Sequence, residues 1–182
     1  MTAFLRYLGI LNAALWLGAA VFLTIGLPGL FSDELRNELR GSIGPTMAPI
    51  VVGWAAQTIF ARFFILQYCC GAVGLAHLTL EWLYCGKPLL RRGAGLLALL
   101  VVLALAGGLW MQPRLNELQH TKYYAPTQLA RDQADRAFKG WHAAAECGNI
   151  VVIGGLLVYL WRASRPGSEV RFGNLNLDKI GG

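Results

Sequence analysis

The chain has 182 residues, 55% of them hydrophobic and only 14% charged, with a mean hydropathy of +0.47. A soluble domain carries nearer a quarter of charged residues, so a water-soluble globule is excluded and one polytopic membrane domain is indicated. The net charge of +6 does not point to nucleic acid. The basic residues sit beside apolar runs, as topology signals and headgroup contacts do, and form no stripe.

Leu8 to Leu30 is the first apolar run. Arg6 ahead of it imitates a signal peptide, but the run is longer than a signal core, so an anchor helix is expected over about 8–30. Asn12 and Trp16 lie one turn apart on it. Gly26-Leu27-Pro28-Gly29 is expected to end it, because Pro and two Gly continue a helix poorly. Ser32 to Gly41 then reads as a short amphipathic helix at the interface. Ser32 suits the N-cap, Asp33 and Glu34 the first turn, and Leu35 and Leu39 share a face.

Met47 to Cys85 is apolar for 39 residues. A single helix of that length would measure about 58 Å against about 30 Å of hydrocarbon. Two parts are therefore expected: an interfacial or re-entrant lead-in, Met47 to Ala56, and a span over about 58–84. A basic turn with Lys87, Arg91 and Arg92 follows. The third span is expected over about 94–112, with Trp110 at the interface and Pro113 breaking the helix. Residues 114–139 are polar, and Leu115, Leu118, Leu129 and Phe138 suggest partial helix lying on the membrane domain. The fourth span, about 141–161, carries an indole at each end, Trp141 and Trp161, as interface belts favour. Residues 166–182 read as a flexible tail after a 1–165 membrane domain. The fold class expected is an all-α integral membrane protein, a four-transmembrane-helix bundle with a short interfacial amphipathic helix. Lys87, Arg91, Arg92, Arg162 and Arg165 fall on the side of the N terminus, so the positive-inside rule places both termini in the cytoplasm.

Polar residues gather at the opposite end. His142, Glu146 and Asn149 sit at i, i+4 and i+7, on one helix face. Arg62 and Gln57 come from the second span at similar depth, and Glu117 and His120 from the polar segment. Ionisable residues in spans are expensive unless paired or wetted, which makes them candidates for an ion or ligand site. The alternative is a structural Arg62–Glu146 pair locking two helices. Glu117-x-x-His120 has half of a di-iron helical spacing, and His120, His142 and Glu146 are the candidate metal ligands. His77 alone lies deep in a span, at the other end from His142, and is the one candidate haem ligand. No cofactor is expected; a b-type haem or a transition metal is the lesser alternative. Cys69, Cys70, Cys85 and Cys147 form no C-x-x-C pair and read as small hydrophobes. No P-loop, dinucleotide fingerprint, G-x-S-x-G or H-E-x-x-H is present, and no catalytic residue is assigned.

Leu15-Trp16-Leu17-Gly18-Ala19-Ala20-Val21-Phe22, Phe60-Ala61-Arg62-Phe63, Pro113, and Trp141-His142 through Asn149 resemble a group of small bacterial membrane proteins. That group is known as domain of unknown function 4149 and is similar to the transmembrane protein 205 family of eukaryotes. The likeness covers about residues 4–162. It implies four helices and a bacterial inner-membrane location, and supplies no activity. A more distant likeness to copper-resistance-D-type and haem-associated four-helix proteins implies redox chemistry, but this chain lacks two His at matching depth. Three functions are therefore carried forward. The favoured one is an accessory or scaffold subunit, in a homo-oligomer or a larger membrane complex. The next is a small permease or channel for an ion, metal or small solute, using Arg62, His142, Glu146 and Asn149. The last is a haem- or metal-binding redox protein. The lipid bilayer is the partner common to all three.

Overall fold

Proline is expected to end two of these helices: the first does stop at Leu30, two residues past Pro28, whereas the third runs on through Pro113. The computed structural model describes residues 2–30, 32–85 and 90–164; the tail 166–182 lies outside them. Helix α1 (Thr2–Val21), a π turn (Phe22–Gly26) and α2 (Leu27–Leu30) run as one rod. The Leu27 N–H bonds the Phe22 carbonyl, five residues back. Farther on, α5 (Leu90–Ala106), a second π turn (Gly107–Met111) and α6 (Gln112–Tyr124) repeat the device, with Gln112 N–H bonding the Gly107 carbonyl. Pro28 and Pro113 each stand two residues past a π turn. A proline lacks the N–H an α-helix needs and crowds the carbonyl four residues back. A wider turn just before it absorbs both defects locally, which carries the first rod two residues past Pro28 and the third on to Tyr124.

The lead-in Met47 to Ala56 is not a separate piece either. It is the start of one unbroken helix, α4 (Met47–Cys85). The polar segment after Pro113 is the continuation α6, a short turn at 125–127, and the first turns of α7 (Gln128–Ser164). Thr127 caps α7, its Oγ1 accepting the Ala130 N–H at 3.4 Å. The amphipathic helix is α3 (Asp33–Ile43), with Asp33 and Glu34 in its first turn. Ser32 holds the N-cap position without a side-chain capping bond. Gly44 closes α3 at φ +87°, a conformation glycine adopts without strain, and its N–H bonds the Arg40 carbonyl. Among the described residues no strand occurs.

Among the described residues four helices are long and apolar enough to cross a membrane: Tyr7–Gly26, Met47–Leu80, Gly93–Tyr124 and Gln128–Ser164. The protein is an all-α, four-helix membrane protein whose apolar helices meet lipid. Their contacts fix an antiparallel order and two unlike ends. At the end holding the N terminus and Ser164, the helices close tightly. Trp16, Leu97, Leu100 and Leu156 are fully buried there, with Ala13, Ala20 and Ala104 between them. A Cβ on Gly155 would come 2.7 Å from Leu100 Cδ2, so α5 and α7 approach at glycine distance. Lipid tails are as apolar as leucine, so this close packing, with buried hydrogen bonds, holds the helices together. Asn12 Nδ2 supplies one such bond to the Cys70 carbonyl at 2.9 Å.

The other end is broader. The first rod stops at Leu30, while α4, α6 and α7 reach farther and α3 packs beside α4. Trp110 and Trp141 meet edge to face, centroids 5.3 Å apart, at the level where charged residues begin. Beyond them α6 and α7 form a hairpin held by Asp135, which bonds Lys122 at 2.5 Å and Lys139 at 2.7 Å.

Candidate functional site

The broad end encloses a cavity of about 880 Å³. That lies within the size range of small-molecule sites. The early stop of the first rod leaves the space, and the two π turns flank it through Thr24, Gly107 and Trp110. Phe60, Phe64, Leu103 and Trp110 give it apolar walls. Phe63, Gln67 and Val152 form its inner end. One turn deeper, Leu100 and Leu156 belong to the closed core, so the cavity ends blindly near mid-span.

A few polar groups are fixed within this apolar lining. Asn149 Nδ2 donates to the Ala20 carbonyl at 3.0 Å and to Thr24 Oγ1 at 2.6 Å, tying α7 to the first rod beside its π turn. Thr24 Oγ1 itself donates to the Ala20 carbonyl at 3.0 Å. Gln57 Nε2 donates to Gln119 Oε1 at 2.8 Å. Gly53 makes room for that second amide, since a Cβ there would overlap it. Gln67 is different. It is 3% exposed, and its Oε1 has no hydrogen-bond partner. An unpaired buried acceptor costs about 1–3 kcal/mol.

The mouth is positive. Arg36 and Arg40 line it from α3, one turn apart, and neither side chain has a hydrogen-bond or ion-pair partner among the described residues. Lys122 also lines it, held by Asp135 and lying 5.6 Å and 5.8 Å from the ring centroids of Tyr123 and Phe138. His142 stacks on Phe138 and places Nε2 3.2 Å from Glu146 Oε1. Among the described residues Glu146 is thus the one carboxylate on the cavity surface, and it is matched by a neighbour on its own helix.

The face read from helical spacing, His142, Glu146 and Asn149, does line the cavity, and so does Gln57. Arg62 does not. Phe60, Phe63, Phe64 and Gln67 occupy the inward stripe of α4, which turns Arg62 to the exposed side. The expected Arg62–Glu146 pair is therefore not formed, and Glu146 faces His142 instead. Glu117 bonds Arg114 at 2.5 Å on the exposed side of α6. His120 is exposed there too, its ring 4.8 Å from that of Tyr124. Neither reaches the cavity, so His120, His142 and Glu146 do not converge as metal ligands. Among the described residues no three His, Cys, Asp or Glu side chains gather to hold a metal.

His77 lies at the closed end, buried, with neither ring nitrogen hydrogen-bonded. Its ring presses on α1 at Gly9, where a Cβ would come 2.7 Å from Cε1. It is far from the cavity and from His142, so the two cannot bracket one haem. Cys69, Cys70 and Cys147 are free thiols, with Cys70 in the core.

Arg36, Arg40, Gln67, Gln119 and Lys122 escaped the sequence reading. Gln67 carried a usable signal, a lone amide inside a long apolar run. The family described as Domain of unknown function (DUF4149) matches residues 11–124, more than half of the chain. No curated protein and no solved structure matches.

Proposed function

The chain belongs to this family, whose description assigns no activity, and from the geometry we propose that it is a membrane receptor or carrier for a small, largely apolar molecule held in the broad-end cavity. The chamber itself carries this reading: about 880 Å³ of space walled by Phe60, Phe64, Leu103 and Trp110, with few polar groups set into it, has the size and lining of a small-molecule site. The core beneath, Leu100 and Leu156, favours a binding pocket over an open conduit. We place the protein in a bacterial inner membrane. With both termini cytoplasmic, as the basic flanks argue, the mouth opens on the far side.

An accessory subunit or homo-oligomer is the second reading. Its support is Gly18 and Gly154, which face out from their spans with nothing within 4 Å of a Cβ, as at helix-packing faces.

The test is native mass spectrometry of the protein in lipid nanodiscs, alongside Ala56→Trp, which fills the chamber from α4. A stoichiometric small adduct on the parent protein, lost in the variant while the folded peak persists, is the expected result. An adduct retained in the variant, or none on either protein, rejects the pocket. A defined multiple of the chain mass would support the second reading.

A further inference from the structure

We propose that the occupant is a single-chain anionic amphiphile, with its carboxylate or phosphate head between Arg36 and Arg40 and its tail along Phe60, Phe64 and Trp110 toward Gln67. This deepens the pocket reading and rests on it.

The charge at the mouth is the first argument. Arg36 and Arg40 are four residues apart on α3, where two like charges repel. Acidic residues are close by on the same helix, yet neither guanidinium has an ion pair among the described residues. Both line the cavity. An anion between them would relieve the repulsion and could take bidentate, charge-assisted hydrogen bonds. Among the described residues the other ionisable groups facing this space are Tyr123, Lys122, bonded to Asp135, and His142 with Glu146 beside it. The one carboxylate among the described lining residues thus already has a neighbour, and the arginines are left for a ligand.

The second argument is the division of the chamber. Below the mouth its walls are aromatic and aliphatic, which suits a hydrocarbon tail and no second charge. Gln57 near the mouth and Gln67 at the foot are about 15 Å apart along α4 at 1.5 Å per residue, a length an alkyl tail can fill. A volume of about 880 Å³ suits one tail with its head better than a two-chain lipid.

The test uses four probes of equal chain length below their micellar concentrations: hexadecanoate, hexadecyl phosphate, hexadecanol and hexadecyltrimethylammonium. The protein is held in zwitterionic nanodiscs, and empty nanodiscs are subtracted. At least one of the two anions should bind roughly tenfold or more tighter than the alcohol, as charge-assisted hydrogen bonds imply. Added salt should weaken that anion alone. The double variant Arg36→Gln with Arg40→Gln should bring it to the affinity of the alcohol, leaving the alcohol unchanged. The charge-conserving Arg36→Lys with Arg40→Lys should keep a preference for the anion. If the carboxylate leads, a free fatty acid is the source; if the phosphate leads, a lysophospholipid-type molecule is. An alcohol that binds as tightly as both anions overturns the head-group assignment and leaves the pocket standing. Binding of no probe, together with no adduct on the parent protein, removes the pocket as well.

Discussion

The two ends of this bundle are built from the same kinds of residue and do opposite things with them. At the closed end leucines interlock, Trp16 and His77 are buried with unpaired ring nitrogens, and the Asn12 amide is bonded across to α4. At the broad end leucines and aromatics stand back from one another, and a comparable amide, Gln67, is buried with its oxygen unpaired. Charged and amide side chains mark the broad end, but its apolar walls do not differ in kind from the closed core. The length of the first rod separates them: where it stops, the other three helices have nothing to close against. The closed end supplies stability, and the broad end supplies space.

The largest effect should come from a like-for-like truncation. Leu156→Ala, at a fully buried site, should cost about 2–5 kcal/mol. Leu103→Ala, on the cavity wall, should cost at most half as much, because one side of that residue already faces open space. Unfolding in mixed micelles followed by circular dichroism measures both, and equal losses would break the contrast. The two amides come next. Gln67→Leu should leave the ligand-free protein as stable, or raise it by up to about 1–3 kcal/mol, without weakening the binding of a hydrocarbon tail. Asn12→Leu should destabilise it under the same titration. Asn149→Ala, which removes two bonds to the first rod, should cost about 1–2 kcal/mol. The smallest effect belongs to the outer hairpin. Asp135→Asn breaks a partly exposed ion-pair network, and a loss of about 0.5–1 kcal/mol in thermal unfolding is expected.

The four membrane helices were legible because apolar runs of that length have few other uses. Their ends were less so. Pro28 and Pro113 read as terminators under the ordinary rule; the first rod does end at Leu30, but a turn of different pitch just before Pro113 let the third helix continue to Tyr124. Half of the site was legible by the same logic that finds helix faces: His142, Glu146 and Asn149 share a side at any helical pitch near 3.6. Arg62 was misplaced because charge marks depth in a membrane, not direction around the helix axis. Arg36 and Arg40 were hidden for the opposite reason. In an amphipathic helix basic residues are unremarkable, and only the neighbouring cavity gives these two a direction.

The Trp110–Trp141 contact has an optical consequence. Two indoles held edge to face at 5.3 Å couple their electronic transitions, and one of them, Trp110, forms part of the cavity wall. Near-ultraviolet circular dichroism should therefore carry a signal set by the relative position of these two rings. Ligand entry, or a shift between α6 and α7, would change that signal without any label attached to the protein.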